Sequence, residues 1–243
     1  MKQIFIEFGI TMPKPTIYNL SSCYNNDETL EVGVDEAGRG PLFGRVYTAA
    51  VVLPKSDAFD HTRMKDSKKF HSLKKINEAA EYIKANALFW TVSWSDESLI
   101  DTINIRQATF RAMHEAIRKT IAGRNSKDTI ILVDGNDFKS YTTFDETKQC
   151  QVCIPHICFE GGDNKYSAIA AASILAKTER DNYIEKLCDE YPELDTVYGI
   201  KSHKGYGTKK HLDAIREHGV TPWHRKSFGI CKSVNLNDNF AKK

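Results

Sequence analysis

Long apolar runs are missing from this 243-residue sequence. No stretch approaches the roughly 20 residues that span a bilayer, so no membrane partner is expected. The opening MKQIFIEFGITMPKP is no secretory signal either: Glu7 interrupts its apolar run and no small-residue cleavage site follows. The chain is therefore expected inside a cell, cytoplasmic or, in a eukaryote, nuclear. Cysteine is sparse, with six residues at 23, 150, 153, 158, 188 and 231, which excludes a disulfide scaffold and leaves reduced thiols. Cys150, Cys153, His156 and Cys158 resemble a metal knuckle, but they lack a distant second pair and enclose Pro155, so plain thiols are read there instead of zinc. Repeats and low-complexity segments are absent too. Net charge is only +2, yet residues 195–243 carry ten Lys/Arg against four Asp/Glu, a local +6 that leaves −4 on the rest. That basic end suits a polyanion such as nucleic acid, although a solvated charged face would have the same composition.

What is present reads as one α/β core with additions. Residues 1–29 are a polar extension, 30–192 the core, and 193–243 a helical, basic region and tail. LEVGVDE, VYTAAVVLP and LFWTVSW are β-branched or alternating and predict three consecutive antiparallel strands. SLKKINEAAEYIKAN from residue 72 has helical spacing with Ser72 as N-cap. A second helix runs from Ser95 or Asp96 towards Gly123, with room for a break. TIILVDG predicts a strand buried on both faces, QVCIPHI a weaker strand, residues 166–191 the longest helix, and TKKHLDAIREHG the last one. The fold class is α/β, a mixed central sheet flanked by helices, with a helical C-terminal part.

Acids recur at the edges of these buried elements. Asp35 and Glu36 close LEVGV, Asp134 closes TIILV, and Asp163 follows two glycines just before the long helix. An acid after a strand is often only a turn former or helix cap, but three such sites in one chain point elsewhere. If the strands are neighbours, four carboxylates converge and repel one another unless a cation sits among them. Hard oxygen ligands favour Mg²⁺ or Mn²⁺.

DEAGRGPLFG, AAVVLP, DSKKF at 66–70, LVDGN at 132–136, GGDNKYSAIAAASILAKTERD at 161–181, SHKGYGTKKH and PWHRKSF together resemble type 2 ribonuclease H, the ribonuclease HII family, over about residues 31–229. The resemblance implies a ribonuclease H-like fold. It implies hydrolysis of the RNA strand of RNA/DNA hybrids, and incision 5′ of single ribonucleotides in duplex DNA by two-metal chemistry, leaving 3′-hydroxyl and 5′-phosphate ends. It assigns Asp35, Glu36, Asp134 and Asp163 to catalysis and metal binding, with Asp137 a loop acid. Gly38, Arg39 and Gly40 would read the ribose through closely approaching backbone. Tyr206 would pack on the adjacent deoxyribose at the RNA to DNA junction.

Ser67, Lys68, Lys177 and Arg180 are candidates for phosphate contacts, and Lys204, Lys209, Lys210, Arg225 and Lys226 for covering the far side of the duplex. HRKSF reads equally as a packing and capping element, and Ser173 as a small packing residue. Arg45, Phe43 and Gly161 stand where the family commonly has proline, a smaller residue and lysine. The segment from Asp134 to Asp163 is longer than usual. A type 3-like enzyme is the nearest rival, disfavoured by the short N-terminal extension; an inactive hybrid-binding module is another, disfavoured by four intact acids. A monomer is expected. A polymerase clamp is a candidate partner, although NLNDNFAKK is too weak a pattern to be read as its docking peptide.

Overall fold

Seven successive buried residues make VYTAAVV the centre of a sheet. In the computed structural model, which describes residues 20–56, 58–123, 128–145 and 147–240, this is β2 (Val46–Val52). It lies antiparallel between β1 (Leu30–Ala37) and β3 (Phe89–Ser95), in the registers Val34↔Ala50 and Ala50↔Thr91. The three consecutive strands form the expected set. β4 (Thr129–Asp134) adds parallel to β1 with Val34 opposite Val133.

QVCIPHI does not form one strand. Pro155 has no N–H for a ladder, so the run divides there. β6 (Cys150–Cys153) turns away to pair with β5 (Thr142–Asp145) in a separate hairpin, while β7 (His156–Phe159) joins the main sheet parallel to β4. The order is β3-β2-β1-β4-β7. Cys150 and Cys153 are exposed on the hairpin and Cys158 belongs to the main sheet, all three as free thiols.

Helices cover both faces. On one face, α2 (Glu97–Thr120) packs Phe110, Met113 and Ile117 against Val32, Val34 and Val133. Asp96 caps it by accepting from the Leu99 amide at 2.8 Å, and the expected break falls at Asn104, where φ is 67°. On the other face lie α1 (Leu73–Asn86) and α3 (Ser167–Glu190), with Ile76, Ile83, Ile174 and Leu175 in the core. Each such side chain, fully buried, contributes about 1.5–3 kcal/mol. Ser72 stands at the N-cap of α1 but makes no side-chain capping bond.

The alanine-rich start of α3 has a structural reason. A Cβ on Gly33 would lie 2.2 Å from the carbonyl carbon of Ala168, so strand and helix backbones touch directly. This contact seats α3 beneath the acidic end of β1.

Beyond α3 come α4 (Glu193–Thr196), α5 (Ile200–His203) and α6 (Lys209–His218), of which the sequence patterns predicted only the last. They bury Tyr198, Ile200 and Ile215 with Phe43 in a third cluster, so this region is packed onto the core. At the other end, Ser21 bridges to Tyr166, and the amides of Tyr24 and Asn25 donate to Glu31. The rest of the extension, residues 1–19, lies outside the described residues. No helix among the described residues is long and apolar enough to cross a membrane.

Candidate active site

The parallel register between β1 and β4 ends at Val34↔Val133, and the next residue on each strand is an acid, Asp35 and Asp134. Glu36 follows on β1. Asp163 arrives from a short turn after β7, whose Gly162 amide donates to Asp134 Oδ1 at 2.7 Å. Asp35 and Asp163 are buried, while Glu36 and Asp134 are half-buried.

Burial, then Glu36 and Asp134, push the Asp35 carboxyl well above its usual range. Burial raises Glu36 as well, against the pull of Arg39. Asp163 is pushed up to about 6 by burial, Asp134 and Asp66. Cations stand beside them: Arg39 pairs with Glu36 at 3.2 Å, and at Lys68 burial lowers the ammonium pKa but Asp66, Asp163, Asp35 and Asp134 more than offset it.

This donor set fits a hard divalent ion. It offers only carboxylate oxygens, and the repulsion that raises their pKa values is what such an ion relieves. Among the described residues no three His, Cys, Asp or Glu side chains form a ready-made cage. A partial protein set is usual for Mg²⁺, which keeps water and takes substrate phosphates.

Asp35, Glu36 and Asp134 line one cleft of ≈ 380 Å³, together with Gly38, Arg39, Gly40, Ser67, Lys68, Lys177, Arg180 and Tyr206. Asp163 is not on its wall and is tied in through Asp134. Asp137, the loop acid, forms an exposed pair with Arg106 at 2.5 Å outside the cleft.

The glycine loop is held from beneath. Gly38 has φ +92°, and a Cβ there would lie 2.1 Å from Arg180 Nε. A side chain at Gly40 would meet the Tyr206 ring at 3.5 Å, so the half-exposed tyrosine stands against the loop. The Leu42 amide donates to Gly205 O at 2.9 Å and joins the two segments.

Several of the expected phosphate contacts line the cleft but are already engaged within the protein. Arg180 is 2% exposed and donates to the carbonyls of Phe43, Arg45 and Lys204. Ser67 is buried and bonded to Ser173 Oγ at 3.0 Å; Lys177 pairs with Asp181. Lys68 alone of these four is exposed at the carboxylates.

Arg225 cannot cover the duplex. It is 0% exposed, and its guanidinium donates to the carbonyls of Gly38, Arg39, Pro41 and Gly44 at 2.6–2.9 Å. Lys204 pairs with Glu185, while Lys209, Lys210 and Lys226 are exposed. Arg45 stacks on Trp94, 3.8 Å from the ring centroid, and also on Tyr183, away from the cleft. Gly161 takes a left-handed conformation at the turn before Asp163.

Sequence reasoning missed the roles of two residues. Ser173 lines the cleft, and its hydroxyl opposes the rise in the Asp35 pKa. Arg225 organises the glycine loop, for which the only signal was the packing alternative for HRKSF.

The family model for ribonuclease HII matches residues 32–231. Ribonuclease HII of Bacteroides thetaiotaomicron is 43% identical over 217 residues, 89% of this chain and 98% of the relative. Ribonuclease H2 from Pyrococcus horikoshii OT3 superposes with a TM-score of 0.63 at 22% identity, covering 83% of this chain and 95% of that one. Bst-RNase HIII in complex with Mn²⁺ superposes at 0.57 and 15% identity, covering 78% and 70%. The two structures establish the ribonuclease H-like fold, and the sequence matches establish descent. The chain belongs to the ribonuclease HII family, the type 2 ribonucleases H, metal-dependent endonucleases that act on the RNA of RNA/DNA hybrids.

Proposed function

We propose that the chain cleaves hybrid RNA strands and also incises duplex DNA on the 5′ side of a single embedded ribonucleotide, leaving a 3′-hydroxyl and a 5′-phosphate. The observation that carries this reading is the shared cleft: Asp35, Glu36, Asp134, the glycine loop and Tyr206 face the same ≈ 380 Å³ space. Asp35, Glu36, Asp134 and Asp163 are assigned to hold Mg²⁺ or Mn²⁺. Two such ions, when bound, lower the pKa of an attacking water and stabilise the leaving oxygen.

The chain's own residues do the selecting. A ribose differs from a deoxyribose by one hydroxyl in a shallow minor groove, and residues 38–40 expose backbone that reaches it closely. Arg225 already takes the carbonyls of Gly38 and Arg39, so the loop amides are the groups assigned to bind the 2′-oxygen. The Tyr206 ring, half-exposed beside Gly40, packs on the neighbouring sugar, where an extra hydroxyl would collide.

Lys68, at the carboxylates, is the phosphate contact retained from the expected set. Arg180 and Arg225 are positioning residues that hold the loop carbonyls. Exposed Lys209, Lys210 and Lys226 extend the basic surface of residues 193–243 along the duplex.

All assigned residues lie on one chain, so a monomer suffices. The tail does not favour clamp docking through residues 235–240, because Phe240 is buried against Trp223.

The test is a nicking assay with two labelled substrates, a duplex carrying one ribonucleotide and a long hybrid, with Mg²⁺ or Mn²⁺. A single product ending 5′ of the ribonucleotide is expected. Cleavage of the hybrid with an intact single-ribonucleotide duplex would reject the junction reading.

A further inference from the structure

Behind Tyr206 lies a cluster of histidines that the assigned chemistry does not use. His211 on α6 and His224 are 0% and 1% exposed, with their Nε2 atoms 3.0 Å apart. His203 stacks on His211 with ring centroids 4.8 Å apart, and His203 itself lines the cleft. Among the described residues no carboxylate bonds to any of these rings; their partners are backbone groups, the Thr221 hydroxyl and one another.

The bonding fixes where the protons are. The Thr221 amide donates to His224 Nδ1 at 2.9 Å, so that nitrogen accepts. A neutral His224 then carries its proton on Nε2 and donates it to His211 Nε2. His211 must carry its own proton on Nδ1, which lies 2.9 Å from the Tyr206 carbonyl oxygen and donates to it. Every member of the line has a single consistent tautomer. A charged His211 would turn the Nε2 contact into two opposed donors, and a charged His224 would set an Nδ1–H against the donating Thr221 amide. Burial drives both pKa values down, His211 to about 4 and His224 well below its ordinary value.

The line ends on the substrate side. Tyr206 O also accepts from Thr208 at 2.8 Å, and the Tyr206 amide donates to His203 O at 3.0 Å, so this backbone is gripped at both ends. His224 sits beside Arg225 on an extended segment that bridges Phe43 of the glycine loop. The two consecutive side chains divide the work: Arg225 holds residues 38–44, and His224, through His211, holds Tyr206.

We infer that His224 and His211 form a neutral two-imidazole relay of positioning residues that sets the Tyr206 ring against Gly40 and so determines discrimination at a ribose to deoxyribose junction. The inference rests on the role proposed for Tyr206, and its test separates the two. His211→Asn keeps a donor near the Nδ1 position, able to reach Tyr206 O, but loses the His224 bond. His211→Gln places its amide near the Nε2 position and loses the Tyr206 bond.

The ratio of single-ribonucleotide nicking to long-hybrid cleavage is measured for both variants, with Tyr206→Ala alongside. Imidazole ¹H–¹⁵N spectra of the unmodified protein are recorded as well. We expect hybrid cleavage within about twofold of the parent for both variants. The junction ratio should fall about tenfold in His211→Gln and distinctly less in His211→Asn, with spectra showing protons on His224 Nε2 and His211 Nδ1.

Unchanged ratios in both variants, while Tyr206→Ala lowers its own, would overturn the relay, as would a smaller loss for Gln than for Asn. If Tyr206→Ala leaves the ratio unchanged, the reading of Tyr206 fails. The relay is then decided by the spectra, where the opposite tautomers overturn it and the stated ones support it.

Discussion

Arg225→Met removes the one side chain that ties four carbonyls of the glycine loop together. The guanidinium is fully buried, with bonds of 2.8 Å to Gly44 O, 2.9 and 2.8 Å to Arg39 O and Pro41 O, and 2.6 Å to Gly38 O. Hydrogen bonds from a charged donor are worth about 1.5–3 kcal/mol each, a gross loss of roughly 6–12 kcal/mol for four. Against this stands the relief of burying a cation, which costs several kcal/mol and is visible in the Arg225 pKa, pushed down to about 9 mainly by burial. The net destabilisation should be about 3–5 kcal/mol. Arg225→Lys should be milder. Its three donors share one nitrogen, so at least one buried carbonyl stays unpaired at about 1–3 kcal/mol. Urea unfolding followed by far-UV circular dichroism gives both numbers, and the order parent, Lys, Met is the specific expectation. A loss under about 1 kcal/mol for Arg225→Met at unchanged m-value would refute the reasoning, because it would mean that the four carbonyls find other donors without cost.

Asp134→Asn should lower cleavage of either substrate at least a hundredfold while leaving hybrid affinity within a few-fold in a gel-shift assay; normal turnover would remove Asp134 from the site. Gly33→Ala should destabilise by about 3 kcal/mol or more, at the top of the overpacking range, because the added Cβ meets Ala168 backbone and no rotamer relieves it; thermal unfolding reads the effect. The third concerns pH. Asp35, Glu36 and Asp163 have raised folded-state pKa values, so their contribution to stability is present at low pH and is lost as pH rises, for Asp163 through about 6. His211 and His224 act in the opposite sense, contributing above pH 6.5 and losing it as pH falls, for His211 through about 4. Subtracting melting temperatures with and without Mn²⁺ isolates the carboxylates. The increment should be small at pH 5 and grow through pH 6 to 7.5, and a flat increment would contradict the carboxylate assignment.

Much of the sheet was legible because its causes are local. β-branched runs, turns and an unbroken apolar TIILV specify strands by composition, and an alanine-rich run ahead of charged residues specifies the long helix. Asp35, Glu36 and Asp134 were visible for the same reason, standing where a buried strand ends, and Asp163 by its place just before the long helix. Pro155 was the local signal that QVCIPHI could not be one central strand, and its missing N–H outweighed the apolar pattern.

What could not be read was the destination of long side chains. Arginine at 180 and at 225 has the same composition whether it faces a phosphate or a ring of backbone carbonyls. The choice is made by Gly38 and by the extended segment 223–225 pairing with residues 42–44, contacts spanning up to 187 positions in sequence. Ser173 was hidden in the same way. Among alanines it looks like packing, and only the approach of β1 places its hydroxyl at Asp35.

The central claim is that carboxylates from β1, β4 and the turn before α3 act as one divalent-ion site. Anomalous scattering from crystals soaked in Mn²⁺ tests it most directly. Manganese peaks bounded by oxygens of Asp35, Glu36, Asp134 and Asp163 are predicted, and they should vanish in Asp134→Asn crystals. Strong manganese peaks elsewhere on the protein, with none between these four side chains, would contradict the account.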